Sequence, residues 1–196
     1  PRGRNTGDGG KNIKGSIAEL GPEWDDDPNQ KANLDRYRAE LAKLDFPADR
    51  TGLVASLPTD LPADYRVAGT QECRRCHADD CQRWDETRHA AAWETLVSHD
   101  AQFDPSCQQC HTTGYGLPGG FVSVATANEA TQVGCESCHG PSLAHARRPV
   151  AKTLYAAADR CVTCHDRENS PEFEYAVYWE QIEHGRSAER GVRNHE

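Results

Sequence analysis

The pattern Cys-x-x-Cys-His occurs four times between residues 73 and 165: Cys73-Arg74-Arg75-Cys76-His77, Cys107-Gln108-Gln109-Cys110-His111, Cys135-Glu136-Ser137-Cys138-His139 and Cys161-Val162-Thr163-Cys164-His165. Nothing else in the chain constrains it as tightly. Two thiols with two residues between them reach the two vinyl groups on one edge of a porphyrin, and the next residue then lies beneath the ring, where an imidazole nitrogen binds iron. Structural zinc also uses Cys-x-x-Cys pairs, but such pairs need no His behind each one. A disulfide framework has no use for a His after every pair either. The reading favoured by the spacing is therefore four covalent haem c groups. Cys73, Cys76, Cys107, Cys110, Cys135, Cys138, Cys161 and Cys164 would hold them, with His77, His111, His139 and His165 as proximal iron ligands.

The composition agrees with large cofactors. Only 36% of the 196 residues are hydrophobic and the mean hydropathy is −0.83, so side chains alone make a thin core. Four porphyrins supply apolar surface for the rest to pack against. The formal net charge of −9 argues against a nucleic-acid partner, which demands positive potential. No apolar run approaches the roughly 18–20 residues of a membrane span. The chain has no Met, not even at position 1, so the expectation is a chain that begins after a processing event.

Lack of Met also narrows the second axial position of each iron, because Met is the usual alternative to His there. Five histidines lie outside the motifs: His89, His99, His145, His184 and His195. His89 sits between Trp84 and Trp93. His145 follows the Gly140-Pro141 turn, too near the third motif to fold back onto its own haem. His184 ends a segment containing Tyr178, Trp179 and Ile182. These three are the preferred distal ligands. His99, beside Asp100, and His195, next to the terminus, are weaker candidates, so one iron is left without an obvious sixth ligand.

The expected organisation has three parts. Residues 1–72, without Cys or His, form an N-terminal arm with one helix (33–44, apolar face Leu34, Tyr37, Leu41, Leu44) and a Pro-rich linker, expected to pack on neighbouring subunits or else to wrap its own haem domain. Residues 73–185 form the tetrahaem core, and residues 186–196 a polar tail. Within the core the periodicity predicts helices over 87–98, capped by Thr87, and over 171–184, with Phe173, Val177 and Tyr178 facing inward. It also predicts a short strand over 121–125 and one or two helical turns in 153–160. The fold class is mainly α with much irregular structure, packed around haem.

Three stretches carry a family resemblance: Trp84 to Ala92 with His89; Cys107 to Phe121; and Val133 to Pro141 with His145. Together they resemble the tetrahaem cytochromes of the c554 type, and the segment from Ser170 to Gly185 is similar to relatives in the same superfamily. The resemblance implies a mostly helical fold with close-stacked haem pairs. It implies that His89, His145 and His184 complete three haems, while the haem on Cys107, Cys110 and His111 is the one that can remain five-coordinate, its sixth ligand otherwise being His99, His195 or a histidine of another subunit. Residues 1–72 have no counterpart in that pattern. The chain is also similar in size and haem count to tetrahaem cytochromes that polymerise into extracellular filaments.

The function expected is electron transfer through four mostly bis-histidine haems, as a shuttle or as the repeating subunit of a conductive filament. The partners are other redox proteins or copies of the chain, and the location is periplasmic or extracellular. The alternative is a small-molecule redox enzyme using the second haem. Cys81, the ninth cysteine, is left over and reads as a small buried apolar residue or an interchain thiol. The motifs predict that the purified protein is red, with a mass exceeding the polypeptide by four haems; intact-mass spectrometry checks this.

Overall fold

Among the described residues one α-helix is long and the other α-helices have five to eight residues each. The computed structural model describes residues 21, 23–54, 61–127, 129–149 and 157–185. Expectations for 1–20, the 55–60 linker, the tail 186–196 and His195 fall outside that set. Among the described residues the regular structure is helical and no strand occurs, the mainly α class expected. The chain divides into two units, up to Asp35 and from Arg36 onward, with the division falling inside the first helix.

Helix α1 spans Pro28–Leu44, starting five residues before the periodic pattern does. Asp27 explains the difference: its carboxylate accepts the backbone N–H groups of Asn29 (2.9 Å) and Gln30 (3.0 Å), and Pro28 takes the first helical position, where no N–H is needed. Of the apolar face, only Leu41 is buried, while Leu34, Tyr37 and Leu44 stay exposed. Helix α1 ends at Asp45, which adopts φ +35°. This residue type tolerates the left-handed region better than most.

Residues 36–54 are anchored on the segment that follows the second motif. Both oxygens of the Asp45 carboxylate are used, by the N–H of Val124 (2.9 Å) and of Ala125 (2.8 Å). The N–H of Ala48 donates to the Val122 carbonyl at 2.8 Å, and the Tyr115 hydroxyl pairs with Thr51 at 3.2 Å. In this structure, then, this part of the arm packs on its own chain. The predicted strand 121–125 does not form. Phe121 pairs with Thr113 and Gly116 across a tight loop, and Asp45 holds Val124–Thr126 as a 3-10 turn. A side chain at Gly120 would run into the Gly114 carbonyl, so the loop closes only with glycine there.

The motif helices are α2 (Thr70–Arg74), α5 (Pro105–His111), α6 (Cys135–His139) and α8 (Ala157–Cys161). Helix α2 packs on α6, and α6 on α8. Between them lie α3 (Ala78–Asp85), α4 (Ala92–Ser98) and α7 (Leu143–Arg147). The helix expected over 87–98 starts only at Ala92. Thr87 bonds backward, its hydroxyl donating to the Trp84 carbonyl at 2.7 Å, so it closes α3 instead of opening the next helix. The last helix, α9 (Tyr175–Trp179), is shorter than the predicted 171–184. Val177 is exposed, while Phe173 and Tyr178 pack on His165, with ring centres 4.6 Å and 5.5 Å away.

Replacing Asp45 with Ala removes two hydrogen bonds to a carboxylate and is expected to cost about 1–3 kcal/mol. Hydrogen exchange at the Val124 and Ala125 amides, faster in the variant, measures the loss.

Candidate haem-binding site

Each motif begins on a short helix, and that helix sets its geometry. In the first, the N–H of His77 donates to the Cys73 carbonyl at 2.9 Å; in the fourth, the N–H of His165 donates to the Cys161 carbonyl at the same distance. One helical turn thus places both thiols and the imidazole on one side. The second motif has the most complete start: Asp104 caps α5 by accepting the Ser106 N–H at 2.9 Å, and Pro105 follows.

Three of the four motif histidines face a second imidazole brought in from elsewhere. His77 lies against His145 with ring centres 6.2 Å apart. His165 lies against His89 at 6.0 Å, and His139 against His184 at 5.9 Å. A metal–nitrogen bond of about 2 Å on either side, plus the distance from nitrogen to ring centre, puts two trans imidazoles about 6 Å apart. All three pairs have the spacing that a single iron between them requires.

The tautomers also suit metal binding. His111 Nδ1–H donates to the Ala92 carbonyl at 2.7 Å, and His184 Nδ1–H donates to the Ile182 carbonyl at 2.9 Å. This second contact fixes the ring and leaves Nε2 as the lone pair. His165 Nδ1 pairs with the Ser170 hydroxyl at 2.9 Å. Burial lowers the pKa of His89, with the charge of His165 adding to the effect. Burial likewise lowers His139, helped by His184 and His77 against Asp80, and it lowers His165. Lowered values keep these rings neutral, the form that ligates iron. His89 Nδ1 is buried with no hydrogen-bond partner, an orphaned nitrogen in a ring that faces another imidazole.

Trp84 organises two of the three pairs. It is buried, its ring stacks on His89 at 5.2 Å and meets His184 edge-on at 5.8 Å. Its indole N–H donates to the Val133 carbonyl at 2.8 Å, and the Val133 N–H donates to the His89 carbonyl at 3.1 Å. The C-terminal segment is held against α3 by the Gly185 N–H to Asp80 (2.9 Å) and by Arg83 to the Glu183 carbonyl (3.3 Å). That docking brings His184 to His139.

The thiols meet across motifs. Cys73 lies beside Cys135 and Cys110 beside Cys164, and in each pair the mutual interaction raises the first thiol and lowers the second. Burial and then the neighbouring Cys161 and Cys164 push Cys138 up to about 11. The first motif therefore adjoins the third, the third adjoins the fourth, and the fourth adjoins the second. Cys81 is 2% exposed and also lies beside Cys135, which places it inside the protein.

Of the weaker candidates, His99 is exposed at the end of α4. Among the described residues no second histidine ring is paired with His111. Arg74, Arg75 and Arg148 are each matched to a carboxylate, Asp85, Glu72 and Asp64 respectively. Composition and spacing gave no sign of the bridging roles of Trp84, Thr113 and Glu136. The Thr113 hydroxyl accepts the Gly134 N–H at 2.8 Å and donates to the Gln132 carbonyl at 2.7 Å, tying the end of the second motif to the start of the third.

Residues 72–140, which hold the first three motifs, match the family described as cytochrome c554 and c-prime. Cytochrome c-554 of Nitrosomonas europaea is 36% identical over 96 residues, covering 41% of this chain and 41% of that protein. The matched stretch thus spans less than half the length of that curated relative. A solved structure, the reduced state of cytochrome c554 from Nitrosomonas europaea, is 24% identical with a TM-score of 0.43, over 67% of this chain and 84% of that one.

Trp84→Phe keeps an aromatic ring against His89 but leaves the buried Val133 carbonyl without its donor. The expected cost is about 1–3 kcal/mol, read from denaturant unfolding followed by haem absorbance.

Proposed function

We propose that this chain is an electron-transfer cytochrome carrying four covalent haems, three of them held between two histidines. The observation that carries the reading is the set of three imidazole pairs near 6 Å, each joining one motif histidine to one of His89, His145 and His184. Bound haem supplies a one-electron iron couple and a large apolar face. The residues supply the rest. Cys73, Cys76, Cys107, Cys110, Cys135, Cys138, Cys161 and Cys164 form the thioethers. His77, His111, His139 and His165 would each hold the iron of their own motif, and His145, His89 and His184 would supply the second ligand at the first, fourth and third sites.

Ligation by two histidines would set a lower potential than His/Met ligation. The packing of α2 on α6 and of α6 on α8 would set the first, third and fourth sites next to one another along the path of the electron. The likeness of residues 72–140 to the c554 type supports the same class. No helix among the described residues is long and apolar enough to cross a membrane. We place the protein outside the cytoplasm, where haem c is attached, working with other redox proteins.

The second site supports a further reading. His111 is fixed by the Ala92 carbonyl, and no described histidine stands opposite it. An iron there with a free position would take a small ligand, which is the enzymatic alternative. Electron paramagnetic resonance of the ferric protein tests both readings: three low-spin haems and one high-spin haem are expected. Changing His184 to Ala is expected to convert one low-spin signal to high-spin and to add one equivalent of carbon monoxide binding in the reduced protein. A variant unchanged in both would remove His184 from the ligand set.

A further inference from the structure

Glu136 occupies the first variable position of the third motif, yet it is only 5% exposed. Its carboxylate accepts four short contacts. The Ala68 N–H reaches both oxygens (2.8 and 3.0 Å), the Gly69 N–H reaches Oε2 (2.8 Å), and the Ser142 N–H reaches Oε1 (2.7 Å). No lysine or arginine is paired with it among the described residues. Every partner is a backbone amide, and the amides come from two places: the residues that lead into α2, and the turn after the third motif that leads to His145.

The consequence is geometric first. Gly69 is the residue before α2, so Glu136 holds the start of the first motif against α6. Ser142 is the residue before α7, so the same carboxylate orients the helix whose His145 lies against His77. One side chain of the third motif thereby sets both histidines of the first site. The meeting of Cys73 with Cys135 across the same two helices is the other side of this contact. Gly134 belongs to it as well: a Cβ there would lie 2.9 Å from the Thr70 hydroxyl and 3.0 Å from that of Thr113.

The second consequence is electrostatic. A carboxylate whose contacts are neutral dipoles keeps its negative charge uncompensated by a cation, and a buried charge acts over distance with little screening. Adding an electron to a neighbouring iron is disfavoured by that charge.

We propose that Glu136 is the positioning residue of the junction between the first and third haem sites, and that its charge holds the midpoint potentials of those two haems down. This rests on the tetrahaem reading above. Glu136→Gln tests it, because an amide leaves at least one of the backbone N–H groups facing Nε2 and also removes the charge.

Spectroelectrochemical titration of the holoprotein, with haems assigned by paramagnetic NMR, is expected to show the first and third potentials moving upward in Glu136→Gln. The second and fourth are expected to stay in place. Four unchanged potentials, or an equal shift of all four, would overturn the proposal and leave Glu136 a stabilising residue only. If the Gln variant does not accumulate with its haems, Glu136→Asp keeps the charge with a shorter reach. With the charge kept, the potentials should move less than in an uncharged variant, while the low-spin signal of the first site should change because Gly69 and Ser142 lose their acceptor; an unaltered first-site signal would overturn the positioning role. A wild-type mass lacking four haems would sink the underlying reading instead, whatever Glu136 does.

Discussion

Imidazole facing imidazole across about 6 Å is the contact on which the arrangement of the core depends. A motif supplies one ring of each pair within a single helical turn, at little conformational cost. The opposing ring must come from a distant part of the chain, and the loops and short helices are arranged to deliver it. His89 arrives on the turn that Thr87 forces by closing α3. His145 arrives on α7, one turn after Gly140 with φ +73°. His184 arrives when the C-terminal segment docks on Asp80 and Arg83.

The same economy explains why so few side chains fill the interior. The buried apolar cluster of Trp84, Ala92 and Val133, with Ala90 and Ile182 against it, is small for a chain of this length. Its work is to brace the imidazoles, and Trp84 touches two of them directly. Backbone amides gathered on two carboxylates, Asp45 and Glu136, tie segments of the chain together. Both carboxylates use each of their oxygens on N–H groups from remote segments, and both join a motif region to a part of the chain far away in sequence.

The segment from Arg36 to Val54 extends the structure beyond the part that matches the c554 family. It is fastened to residues 115–125 at several points, and the Tyr37 hydroxyl reaches Asp104, the cap of the second motif, at 3.2 Å. The second site, the one whose histidine lacks a described partner ring, is therefore the one this added segment abuts.

Much of the site was legible from residue order alone. Cys-x-x-Cys-His states its chemistry locally, because one helical turn is enough to place all three side chains. Elimination and resemblance singled out His89, His145 and His184, and the structure brings each of these rings against a motif histidine. Which motif each would face was not legible, because those pairings join residues up to 76 positions apart (His89 and His165), and loops decide them. Helix ends were misread wherever a polar side chain acted at a distance or in reverse: Asp27 lengthened α1, Thr87 delayed α4, and Asp45 replaced a strand with a turn. Glu136 looked like an ordinary variable position. Sequence determined what can bind, because covalent and coordinate chemistry depends on residue type and near spacing. Tertiary structure decided which imidazole meets which, and which carboxylate is buried, because both follow from where separate segments pack.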